Sequence, residues 1–113
     1  MLSIATRDEL AAELAEAERS RIPMTPLTAL YPDIDVVDDY EIQLIKIRQK
    51  VAEGARVVGH KVGLSSEAMQ KMMGVEESDY GHLLADMEAF EDTPVPIGRY
   101  LFPRLEVEVG FIL

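Results

Sequence analysis

The sequence predicts an α+β fold, and three observations carry that prediction. Apolar residues recur at helical spacing up to residue 54, short β-like runs follow, and the closing stretch PRLEVEVGFIL alternates apolar and acidic residues. At 113 residues the chain has the length of one domain or of a piece of a larger one. A 48% hydrophobic and 28% charged composition is globular. At this size folding buries only roughly two thirds of the extended surface, enough for one modest core.

Charge narrows the function classes. Net charge is −10, from 21 acids against 11 bases, and nucleic-acid binding needs clustered Lys and Arg to neutralise phosphates. No basic amphipathic stretch points to a membrane surface. A small anionic substrate is compatible with this balance, because a pocket can be locally basic or hold a metal inside an acidic protein. Without cysteine there are no disulfides, thiolate chemistry or Cys-based zinc sites. The start, MLSIATRDEL, lacks the basic and long apolar regions of a signal peptide. No run approaches the ~20 apolar residues of a membrane span, so a soluble, cytoplasmic protein is expected.

In chain order, Thr6 with Glu9 reads as a capping box opening a helix through RDELAAELAEAERSR, whose thin apolar side of Leu10, Leu14 and alanines leaves it largely solvated. Pro23, Pro26 and Pro32 rule out a regular element in the next stretch, which reads as an ordered loop or arm. A second helix starts at Asp38 or Asp39, with Tyr40, Leu44, Ile47 and Val51 on one face, and ends at Gly54. ARVVGHKVGLS reads as a strand, and SSEAMQKMMG as a short helix capped by Ser65 or Ser66 and stopped at Gly74. DYGHLLADM reads as another strand, EDTPVP as a turn and RLEVEVGFIL as the last strand. This divides the chain into a helical segment, 1–54, and a β-rich segment, 55–113.

Side chains alternate across a strand, so Arg104, Glu106 and Glu108 share one face of the last strand, while Leu105, Val107, Val109 and Phe111 share a core face. The acids have two readings. One is an outer strand facing water, with Arg104 as a partner. The other is a hard-cation site, since two carboxylates on one face both reach a Mg²⁺ or Mn²⁺ that takes oxygen ligands. Spacing alone does not choose.

From about Asp39 the chain resembles the N-terminal part of the 2-keto-4-pentenoate hydratases, members of the fumarylacetoacetate hydrolase superfamily that also holds the 4-oxalocrotonate decarboxylases. The matching stretches, in the family's order and spacing, are DDYEIQ (38–43), GHKVGLSSEAMQKMMGV (59–75), DYGHLLADM (79–87) and PRLEVEVGFIL (103–113). The resemblance implies that the fold is the beginning of a mixed β-barrel, incomplete in this chain. It implies that Glu106 and Glu108 supply two of three carboxylate ligands to Mg²⁺ or Mn²⁺. The third lies beyond residue 113 in the family, so the chain reads as a fragment carrying part of a site, and is expected to be inactive alone.

The resemblance also places Lys61 near the metal-bound substrate, where desolvation beside a cation would lower its pKa and suit it to anion binding or proton transfer; outside the motif it reads as a surface lysine. Asp79 is the candidate acid–base carboxylate, against a turn residue before Tyr80 and Gly81. Asp79-Tyr80-Gly81 resembles the hydratases, whereas the decarboxylases show Ile-Trp-Gly. Backbone N–H groups of Gly63, Leu64 and Ser65 are candidates to receive the substrate carboxylate, against a plain strand-to-helix turn. His60 and His82 read as structural or exposed, Met69, Met72 and Met73 as core filler, and Arg104 as the partner of a nearby acid.

The reaction implied is metal-dependent hydration of 2-hydroxypenta-2,4-dienoate to 4-hydroxy-2-oxopentanoate, a lyase step in meta-cleavage catabolism of aromatic or sterol rings. Family members resemble homo-oligomers that associate with a neighbouring pathway enzyme. The alternatives are a metal-dependent 2-oxo-acid decarboxylase, a C–C hydrolase of the same superfamily, and a non-catalytic module that pairs with a partner subunit.

Overall fold

A computed structural model describes residues 1–113, which form two units. The first comprises Met1–Glu53 with Pro94–Pro103, the second Gly54–Thr93 with Arg104–Leu113.

Helix α1 spans Ile4–Ser20. Its N-cap is Ser3, whose hydroxyl accepts from the Thr6 N–H at 3.1 Å, so Thr6 is the recipient of the cap and not its source. The chain leaves the helix through Arg21 in the left-handed region. Between Pro26 and Pro32 the chain makes a single helical turn, α2 (Leu27–Leu30), where an irregular loop was expected. Pro26 precedes the turn, where its missing N–H costs nothing. Helix α3 spans Val36–Ala52, starting two or three residues before the expected Asp38 or Asp39, because Asp35 and Asp38 form a reciprocal capping box.

Asp38 does more than cap. Its buried carboxylate accepts from the Leu2 N–H at 3.0 and 3.1 Å, the Asp35 N–H at 3.1 Å and Arg7 Nε at 2.9 Å. Burial pushes its pKa up, but these donors overcome that and hold the carboxyl below the usual range. The start of α1 is thereby tied to the start of α3. Behind this tie, Leu10, Ala11 and Ile42 form the core, with Leu2, Leu14, Leu27, Tyr31, Ile34 and Ile45 packed around it. The inward face of α3 thus runs through Asp38, Ile42 and Ile45, whereas Val51 of the expected face is exposed. Helix α1 is otherwise solvated, as its composition predicts.

In the second unit, β1 (Val57–Gly63) is the centre of a three-stranded antiparallel sheet ordered β2-β1-β3, with β2 at Asp79–Leu84 and β3 at Val109–Ile112. A bulge between Val57 and Gly59 shifts the β1–β2 register. Helix α4 (Glu67–Met73) follows β1, capped by Ser66 and ended by Gly74 at φ 72°. Its methionines, Met69, Met72 and Met73, are exposed and fill no core within this chain. The closing strand is shorter than expected. Only residues 109–112 pair with β1, and Leu105 and Val107, assigned to a core face, are fully exposed. No other strand of the chain lies beside residues 104–107, so alternation there has nothing to pack against. Arg104 is exposed and forms no ion pair. No helix is long and apolar enough to cross a membrane.

A lysine between two carboxylates on one sheet face

Antiparallel pairing puts cross-strand partners on the same face of the sheet. Gly59, Lys61 and Gly63 of β1 face one way. Opposite them on β2 stand Leu83, Gly81 and Asp79, and on β3 Ile112 and Gly110 oppose Gly59 and Lys61. Continuing the β3 register by one residue sets Glu108 beside Gly63. The face therefore carries one central lysine, glycine on both sides of it, and an acid on either side of Gly63.

Lys61 Nζ donates to Asp79 Oδ1 at 3.1 Å and lies 3.6 Å from Glu108 Oε1. Its stem crosses Gly81, where an added Cβ would stand 2.9 Å from Lys61 Cε. Desolvation pulls the lysine pKa down, yet the hydrogen bond and charge of Asp79 and the charge of Glu108 outweigh it, so the ammonium is held above the ordinary lysine value. The two anions that flank the group set that direction.

Glu108 is thus brought to Lys61 and Asp79, while Glu106 forms no ion pair with Lys61 and lies in the exposed, unpaired 104–107 stretch. The two glutamates have the oxygen donors a hard divalent cation takes, so their chemistry fits such an ion. Their number does not complete a site: no group of three or more His, Asp or Glu side chains in the chain is placed to hold a metal.

Gly63 is the last residue of β1, Leu64 and Ser65 are the turn after it, and all three precede the Ser66 cap, outside the helix. Leu64 is left-handed at φ 51°, costly for a branched side chain, and Gln70 Nε2 from α4 holds its carbonyl at 2.8 Å. On the opposite face His60 and His82 pair across the strands, with ring centroids 4.9 Å apart and interplanar angle 62°. Burial and the neighbouring His60 push the His82 pKa down. Gly110 and Gln70 do not stand out in the sequence, and Gly81 does so only as part of Asp79-Tyr80-Gly81; glycine inside a strand pattern is the available signal for Gly81 and Gly110. A depression on the helical unit is lined by Ala15, Gln49 and the ion pairs of Glu18 with Lys46 (3.4 Å) and Lys50 (3.2 Å), and holds no such constellation.

No family model matches the chain. Among solved structures, 4-oxalocrotonate decarboxylase from Pseudomonas putida G7, complexed with magnesium and adipate, is similar with TM-score 0.71 and 33% identity over 74% of this chain and 32% of that one. The same enzyme complexed with calcium and acetate matches equally. The helices and sheet are thus part of a fold of the fumarylacetoacetate hydrolase type. Curated relatives are more specific. The chain is 40% identical over 108 residues to the 2-oxo-hept-4-ene-1,7-dioate hydratase of Escherichia coli, covering 96% of this chain and 40% of that protein. It is 39% identical over 107 residues to the 2-keto-4-pentenoate hydratase of Paraburkholderia xenovorans (strain LB400), covering 95% and 40%. It is 41% identical over 107 residues to the 2-hydroxypent-2,4-dienoate hydratase of Pseudomonas putida, covering 94% and 48%. Nearly the whole chain is homologous to the 2-keto-4-pentenoate hydratases, and it spans roughly 40% of the length of the first two of these relatives.

Proposed function

We propose that residues 1–113 supply the lysine–carboxylate part of the active site of a divalent-metal-dependent hydratase acting on 2-hydroxy-2,4-dienoates. The observation that carries this reading is Lys61 Nζ set between Asp79 and Glu108 on one sheet face, in a chain whose relatives are named as hydratases. In this reading 1–54 is a helical segment and 55–113 begins the catalytic domain.

Glu106 and Glu108 would hold the metal, Mg²⁺ or Mn²⁺, together with a further ligand outside residues 1–113. When bound, such an ion polarises the substrate's 2-oxo group and carboxylate as a Lewis acid. The rest of the work falls to side chains of this chain. Lys61, kept protonated by its anionic neighbours, attracts the substrate carboxylate and is the acid that donates a proton at C5 as the dienol ketonises, the 2-hydroxyl proton leaving to solvent. Asp79, hydrogen-bonded to that ammonium, orients a water toward C4, takes its proton as the C–O bond forms and returns a proton to C3, completing the addition. The segment Gly63–Leu64–Ser65 borders the same face and offers backbone N–H groups to the substrate carboxylate. A homo-oligomer, a neighbouring pathway enzyme as partner, and a cytoplasmic location belong to the same proposal.

The second reading is a 2-oxo-acid decarboxylase, favoured by the decarboxylase structures of similar fold. Asp79-Tyr80-Gly81 favours the hydratase. The test is a dienol-hydration assay, with and without Mg²⁺, on the 113-residue chain and on a longer form of the protein, with intact mass recorded for each. The longer form is expected to consume the dienol only with metal, and the short chain to be inactive. CO₂ release without a 4-hydroxy-2-oxo product would replace the hydratase reading with the decarboxylase one. Absence of both products from the longer form would overturn either enzyme.

A further inference from the structure

Gly63 is buried at the end of β1, and its φ lies outside the left-handed region that only glycine tolerates readily. Its backbone therefore accepts alanine, and glycine inside a strand is unfavourable unless something must approach closely. A Cβ built on Gly63 would stand 2.3 Å from Asp79 Oδ1, 3.2 Å from Asp79 Cγ and 2.8 Å from Glu108 Oε1. The two carboxylates flanking the lysine thus lean over the Gly63 Cα from either side and occupy the space a side chain would fill.

We propose that Gly63 is a positioning residue of the lysine–carboxylate cluster, acting through its missing side chain: the vacancy lets Asp79 and Glu108 converge on Lys61 Nζ. This deepens the hydratase reading and rests on it for its functional meaning. The geometric claim concerns only the apposition of Gly63, Asp79 and Glu108. A neighbouring glycine sharpens the point. Gly59 also forbids a Cβ, which would lie 2.2 Å from the Phe111 carbonyl oxygen, but there the obstacle is the β3 backbone. At Gly63 the obstacle is two side-chain carboxylates, so removing them should remove the need for glycine.

The test is a thermodynamic cycle on the 113-residue chain, read by thermal unfolding. Gly63→Ala is made in the natural sequence and in an Asp79→Ala, Glu108→Ala background. In the natural sequence the melting temperature is expected to fall; in the background it is expected to stay level or rise, since alanine suits a strand better than glycine. An equal fall in both would overturn the proposal and make Gly63 a purely backbone requirement, as would no fall in either. If Gly63→Ala fails to fold in the natural sequence, recovery of a folded chain in the carboxylate-free background supports the proposal and continued failure refutes it. A second readout is the Lys61 ammonium resonance in ¹⁵N-lysine-labelled protein. Gly63→Ala is expected to weaken its protection from water exchange, and Gly98→Ala, whose nearest neighbour would be 4.0 Å away, to leave it unchanged. Neither experiment uses metal or substrate, so failure of the hydratase reading and failure of this one are told apart.

Discussion

Replacing Lys61 by methionine removes the charge and keeps most of the stem that crosses Gly81, so it isolates the electrostatics of the cluster. The lysine side chain is 29% exposed, Glu108 26% and Asp79 48%, which places both pairs nearer to surface ion pairs than to buried ones. Pairs of that kind contribute about 0.2–1 kcal/mol each, and the 3.1 Å hydrogen-bonded pair with Asp79 belongs at the upper end. Loss of the lysine also leaves two carboxylates facing each other across Gly63. A cost of about 1–2 kcal/mol follows, or a fall in melting temperature of roughly 4–8 °C per kcal/mol for a small domain. The assay is thermal unfolding of both proteins at pH 7 in low and high salt, where screening should shrink the difference. The sign with pH is also set. The Lys61 pKa is raised above the ordinary lysine value, so its stabilisation is complete below that value and is lost as pH rises through the folded one. Lys61→Met should therefore flatten the alkaline limb of the stability profile. Equal melting temperatures at pH 7, or a difference indifferent to salt, would refute an electrostatic role.

Leu10 is 1% exposed in a helical core of three fully enclosed side chains, so Leu10→Ala should cost about 2–5 kcal/mol in urea unfolding followed by circular dichroism. The Asp38 pKa is held below the ordinary carboxylate value; its contribution is present above that value and lost as pH falls through the folded one, so Asp38→Asn should destabilise at pH 7 and blunt acid unfolding of the helical unit. Gly54 has φ 105° and open space where a Cβ would lie, so Gly54→Ala should cost about 1–2 kcal/mol from backbone strain alone, measurable as a shift in the urea midpoint.

The elements legible in the sequence are those whose information is local. Ser66 and Gly74 bracket α4 with a hydroxyl cap and a left-handed exit, both readable from residues within one turn. The β1 and β2 segments announce themselves by composition, and Lys61, Asp79 and Glu108 could be singled out through the motifs around them. Where interactions were non-local, reading failed. Asp38 reads as an ordinary first-turn acid until Leu2 and Arg7, 36 and 31 positions away, supply its donors. The inward face of α3 is set by Leu10 of another helix, which chose Ile42 and Ile45 over Val51.

The sequence by itself determined the order of helices and strands, the acidic character, and which acids and lysine to watch, because caps, turn glycines and alternation act over a few residues. Only the tertiary structure decided which of these meet. Antiparallel register put Asp79 and Glu108 on either side of Gly63, where their charges raise the proton affinity of Lys61. It also left Glu106, Leu105 and Val107 outside any pairing, since alternation marks the faces a strand would have and only a neighbouring strand makes one of them a core.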